Sequence, residues 1–123
     1  MRQNRTFENQ PSSVPAARRF ATGTLSGLSS EVTEAVELMV SELATNCVRH
    51  TDGNFEISIL QTPDAVRVEA LDGGLGEPRL RSPGPADPHG RGLLIVDALA
   101  GDWGVDLREG HRKAVWFTVP VGA

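Results

Sequence analysis

Glu42-Leu43-Ala44-Thr45-Asn46 lies inside an apolar-periodic run in which Val32, Val36, Met39, Leu43 and Cys47 recur at steps of four and three. That spacing is one stripe of an amphipathic helix. Ser29-Ser30-Glu31 opens the helix, with Glu31 and Glu34 suited to its positive end, and Thr51-Asp52-Gly53 closes it. Alternating runs follow. Phe55, Ile57 and Ile59 alternate with Glu56 and Ser58, then Val66, Val68 and Ala70 with Arg67 and Glu69; Thr62-Pro63-Asp64 turns between them. This predicts an antiparallel hairpin behind the helix.

Working outward, Arg5-Thr6-Phe7-Glu8 is a weak candidate for a short edge strand. Ser13-Val14-Pro15 resembles a helix entrance, with Ser13 as cap, and the helix carries Ala16, Ala17, Phe20, Ala21 and Leu25 before fading near Gly27. From Asp72 to Gly92 the chain holds Pro78, Pro83, Pro85, Pro88 and six glycines, with almost no apolar periodicity. So long a loop in a small domain is usually functional or disordered. Leu93, Leu94, Val96 and Leu99 then fit a short helix. Trp103–Leu107 and Ala114–Val119 fit strands joined across Glu109-Gly110. Helices on one face of a mainly antiparallel sheet satisfy this order.

The 123 residues suit a single domain, residues 1–123, and 39% hydrophobic content supports a core. The net charge of −4 and pI near 5.3 come without a large basic patch, so direct nucleic-acid binding is not expected. The local excess of Arg2, Arg5, Arg18 and Arg19 over Glu8 reads as a solvated surface. Cys47 is the single cysteine, which excludes an intramolecular disulfide, and its helical setting suggests a buried small hydrophobe. No apolar run has the length of a membrane span and no signal peptide is visible, so no membrane association and a cytoplasmic location are expected.

Three boxes carry chemistry. Glu42, Asn46 and His50 recur at i, i+4 and i+8; at about 100° per residue Glu42 and Asn46 border the apolar stripe and His50 falls within it. A half-buried carboxylate can serve as a base, and an amide oxygen suits a hard cation such as Mg²⁺. The same spacing is also that of an ordinary polar helix flank, and His50 reads as a packing or capping histidine. Asp72, at a strand end before Gly73-Gly74-Leu75-Gly76, can accept from an exocyclic amine such as adenine's, while Gly74 and Gly76 let a flat ring approach. Asp-Gly is equally a turn signal. Gly90-Arg91-Gly92 stands before a helix, where exposed amides favour phosphate and Arg91 adds charge, or where a hinge would suffice. There is no GxxxxGK[ST] motif, so a P-loop is excluded.

In order and separation the boxes resemble the GHKL ATPase superfamily and, more narrowly, bacterial anti-sigma-factor serine kinases. Val40-Ser41-Glu42-Leu43-Ala44-Thr45-Asn46-Cys47-Val48-Arg49-His50-Thr51 is similar to that family's N box, Asp72-Gly73-Gly74-Leu75-Gly76 to its DxGxG box and Gly90-Arg91-Gly92-Leu93 to its GxGL box. Asp102-Trp103-Gly104-Val105 and Lys113-Ala114-Val115-Trp116 are similar to its closing strands. The resemblance implies a two-layer α/β sandwich with helices on one face of a mixed, mainly antiparallel sheet. It implies an ATP-binding serine/threonine protein kinase that regulates transcription by partner switching between a sigma factor and a phosphorylatable antagonist. It assigns catalysis to Glu42, Mg²⁺ to Asn46, adenine recognition to Asp72 and the base pocket to Gly74 and Gly76. A lid would span residues 77–89, with Gly90, Arg91, Gly92 and Leu93 at the phosphates. A homodimer is a further expectation. One departure stands out: kinases of that family often carry an arginine shortly before the GxGL box, where this chain has Pro88 and His89. Arg91, Arg81 and Arg79 are candidates to replace it. The resemblance therefore extends further for ATP binding than for phosphoryl transfer, and an ATP-binding interaction module is the alternative.

Overall fold

The structure, a computed structural model, describes residues 2–50, 53–72, 102–108 and 112–121. The elements are β1 (Arg2–Phe7), α1 (Ser13–Thr24), α2 (Ser30–His50), β2 (Phe55–Gln61), β3 (Ala65–Asp72), β4 (Asp102–Arg108) and β5 (Arg112–Pro120). The predicted short helix over Leu93–Leu99, the glycine- and proline-rich loop before it and the Glu109-Gly110 turn lie outside the described residues.

The strands form one sheet in the order β1-β2-β3-β5-β4. Each described pairing is antiparallel, so the mixed sheet expected from the resemblance is, among the described strands, purely antiparallel. Both helices cover one face. α1 packs against α2, β1 and β2, and α2 reaches β3 and β5. The core between the layers holds Val36, Met39, Val40 and Leu43 from α2, Phe55, Ile57 and Ile59 from β2, Val66 and Val68 from β3, and Phe117 from β5. The period-two alternation of β2, β3 and β5 thus put its apolar set on the helix side, as the sequence pattern required.

One helix start differs from expectation. Ser13 is the first residue of α1, not its cap; its hydroxyl donates to the Glu8 carbonyl at 2.6 Å. Ser12 occupies the cap position and makes no side-chain cap bond. At α2 the cap is Ser29, whose Oγ accepts from the Val32 amide at 3.2 Å. α1 ends at Thr24, before Gly27, whose φ of 69° suits glycine in the connection. β1 is longer than the weak edge signal suggested because its polar residues pair with β2 from Arg2↔Leu60 to Phe7↔Phe55. Propensity is a poor guide where pairing decides.

The face of the sheet away from the helices is covered by its own long side chains. Glu69, 6% exposed, lies 3.6 Å from Arg2 and 3.5 Å from Arg67. Arg67 also sits over the Trp116 ring, 4.3 Å from its centroid. Arg18 stands 3.9 Å from Glu37. The arginines read from sequence as a solvated surface are therefore partly committed to partners within the chain.

Candidate functional site

α2 supplies the first part of the site. Leu43 and Cys47 are buried in the core, and Glu42 and Asn46 are half-buried beside them, as the helical spacing predicts. Ser41 looks to the opposite flank: Arg18 of α1 donates to its hydroxyl at 3.4 Å, and that hydroxyl donates to the Glu37 carbonyl at 2.9 Å. At about 100° per residue, Glu42 and Asn46 fall on the side of α2 that α1 does not occupy. The backbone places His50 at the last turn of α2.

The sheet supplies the second part. Asp72 ends β3 and is 2% exposed. Its neighbours on the same face are set by register: Phe55 on β2 and Lys113 on β5. Phe7, Phe55, Asp72 and Lys113 form one cross-strand row on the helix side. All four are buried, and Phe7 stacks on Phe55 at 5.6 Å between ring centroids. The aromatic half of the row is core; the other half sets Asp72 beside Lys113.

α2 and this row meet at Cys47. Burial pushes its thiol from an ordinary 9.0 up to about 12, the Asp72 charge pushes the same way, and the Lys113 charge opposes both. Cys47 is thus the buried, unreactive residue its position suggested. Through it, the helix carrying Glu42 and Asn46 lies within electrostatic reach of the strand end carrying Asp72.

Lys113 was not singled out from the sequence. The signal was present, since it alternates in phase with Val115, Phe117 and Val119 and so occupies an inward position. Gly74, Gly76, Gly90, Arg91, Gly92, Leu93 and the expected lid over residues 77–89 lie outside the described residues. Among the described residues no group of three or more His, Cys, Asp or Glu side chains is arranged to hold a metal ion. Also among them, no helix is long and apolar enough to cross a membrane. A cleft of about 340 Å³ beside Gln3, Ser26, Ile59 and Gln61 opens at the other end of the sheet. Two of its polar residues are engaged with each other: the Ser26 amide donates to Gln61 Oε1 at 3.2 Å, and Gln61 Nε2 donates to the Ser26 carbonyl at 2.7 Å.

The sequence pattern of the histidine kinase-like ATPase domain matches residues 7–119, nearly the whole chain. No curated protein matches the sequence. Among solved structures, the chain is similar to that of the RsbU and RsbW domains of Rv1364c from Mycobacterium tuberculosis, with a TM-score of 0.74 at 14% identity. That likeness covers 100% of this chain and 34% of the other, so this chain spans about a third of that chain's length. At such identity the likeness speaks for the fold, and it agrees with the antiparallel sheet and paired helices. The match over residues 7–119 extends across α2, with Glu42 and Asn46, and the strand end at Asp72, and on that ground the chain belongs to the family of histidine kinase-like ATPase domains.

Proposed function

We propose that this domain binds ATP with Mg²⁺ and acts as an anti-sigma-factor-like protein kinase, transferring the γ-phosphoryl group to a serine or threonine of an antagonist protein. The observation that supports the reading is the buried strand-end carboxylate Asp72 within electrostatic reach of Cys47 on α2, the helix that carries Glu42 and Asn46, in a family of ATPase domains. The solved neighbour that includes an RsbW domain supports the narrower assignment.

The donor set fits an adenine nucleotide. Asp72, buried at a strand end, presents a carboxylate to an exocyclic amine; in so dry a setting a charge-assisted hydrogen bond is strong. Asn46 offers one neutral oxygen for Mg²⁺, which takes few protein ligands and completes its shell with phosphate oxygens and water. Bound Mg²⁺ would neutralise charge developing on the phosphates. Glu42, one turn from Asn46 and half-buried, accepts the proton of the acceptor hydroxyl as its oxygen bonds to the γ-phosphorus and the bond to ADP breaks. Gly74, Gly76, Gly90, Arg91, Gly92 and Leu93 are assigned to the nucleotide by their motifs. Partner switching with a sigma factor, a cytoplasmic setting and homodimerisation complete the proposal. A binding module without phosphoryl transfer is the second reading, favoured by Pro88 and His89 in place of an arginine.

The test is radiolabelled ATP with candidate antagonist proteins and a Glu42→Ala control. Label transferred to an antagonist by the wild type but not by the variant supports the kinase. ATP binding and partner capture without transfer support the module.

A further inference from the structure

Asp72 is almost fully buried, and a lone buried carboxylate tends to take up a proton. A protonated carboxyl group donates as well as accepts, and loses the preference for a base that presents an amine. An opposite charge close by favours the ionised form. Lys113 is its cross-strand partner on β5, on the same face, and is itself only 7% exposed. Phe55, the other neighbour in the row, contributes no charge. From α2, Cys47 faces this region as a neutral thiol and also contributes none. Lys113 is the basic residue of the row, directly across from Asp72.

We infer that Lys113 is a positioning residue for nucleotide recognition: its ammonium keeps Asp72 an acceptor-only carboxylate, so that base selectivity depends on a residue outside the three motif boxes. Direct cross-strand partners place their β-carbons within about 5.5 Å of each other. An ammonium on a flexible four-carbon stem can stay near the carboxylate while leaving its outer oxygen to the base. The inference rests on the ATP-binding reading and adds to it the origin of adenine selectivity.

The experiment is titration calorimetry with ATP-Mg²⁺ and GTP-Mg²⁺ on the wild type, Lys113→Met, Lys113→Arg, Asp72→Asn and the Asp72→Asn/Lys113→Met pair, with thermal unfolding in parallel. We expect Lys113→Met to weaken ATP binding by about tenfold or more and to erase most of the preference for ATP over GTP. Lys113→Arg should keep the preference. In the Asp72→Asn background Lys113→Met should add little, the non-additivity expected of one coupled unit. If Lys113→Met alone fails to fold while the double variant folds, the same charge coupling is read from stability. A folded Lys113→Met with wild-type preference, while Asp72→Asn has lost it, overturns the role of Lys113 and leaves the ATP site standing. A wild type that binds ATP and GTP equally overturns adenine selectivity and with it the role of Lys113; one that binds neither overturns the ATP site itself.

Discussion

Asn9, in the connection between β1 and α1, donates from Nδ2 to the backbone carbonyl of Cys47 at 3.2 Å. The same nitrogen donates to the Gly53 carbonyl at 3.1 Å. One side chain thus ties the last turns of α2 to the segment that enters β2. The carbonyls at a helix end lack intrahelical donors, and a side-chain amide is one way to satisfy them. Asn46 is the residue immediately before this anchor.

Asn9→Ala should therefore cost about 1–2 kcal/mol of stability, the value of hydrogen bonds lost from partly buried carbonyls. It should also weaken ATP-Mg²⁺ binding without touching any motif residue. Urea denaturation and calorimetry on the same preparation check both. Unchanged stability would show the anchor to be idle.

Glu42 and Asn46 should separate in function although they are one turn apart. Glu42→Ala should leave most ATP affinity intact and lower phosphoryl transfer by about 100-fold or more, because a base acts on the reacting group. Asn46→Ala should damage both binding and transfer, since the metal serves both. Single-turnover assays beside equilibrium binding distinguish them.

Asp72→Asn presents a donor where an acceptor is required. The expected loss is about 1.5–3 kcal/mol of ATP binding, the range for a hydrogen bond to a charged group. GTP binding should change far less. Equal losses for the two nucleotides would count against base reading by this residue.

Cys47 makes stability fall at alkaline pH. Its thiol holds a proton up to about pH 12 in the folded chain but ordinarily releases it near 9.0. The native state therefore binds the proton more tightly. Its contribution is complete below the unfolded value and is lost as pH rises from 9.0 towards 12, by at most about 1.4 kcal/mol per pH unit. Denaturation of wild type and Cys47→Ala at about pH 8 and about pH 10.5 checks this; the variant should lose less stability over that interval. Alkylation of the native thiol at neutral pH should be slow, because the thiolate is the reactive form.

Gly104 faces Trp116 across the β4–β5 pair on the outer side of the sheet. A β-carbon there would lie 2.9 Å from Trp116 Cζ2. The indole cannot swing away cheaply, since Arg67 lies over it, 4.3 Å from the ring centroid. Gly104→Ala should cost about 1–3 kcal/mol by overpacking. A melting temperature equal to that of the wild type would contradict the close approach.

The stripe from Val36 through Met39 and Leu43 to Cys47, the half-buried flank with Glu42 and Asn46, and the alternation in β2 and β3 were legible in the sequence. Each is a local matter: helical and strand periods place neighbouring side chains before any tertiary contact forms. The helix caps were less legible, because Ser12, Ser13, Ser29 and Ser30 are chemically alike and backbone geometry chooses among them. β1 was faint for a related reason: its polar residues become a strand only by pairing with β2.

What tertiary structure decided is which distant residues share a face. Asp72 was visible as a strand-end carboxylate, but its burial and its partner Lys113 follow from the pairing of β3 with β5. The link from Asn9 to Cys47 joins residues 38 positions apart. Sequence by itself determined the periods, the motif boxes and the kind of domain they build. The neighbours of Asp72 depended on sheet register, a long-range choice made by the packing of the whole hydrophobic face.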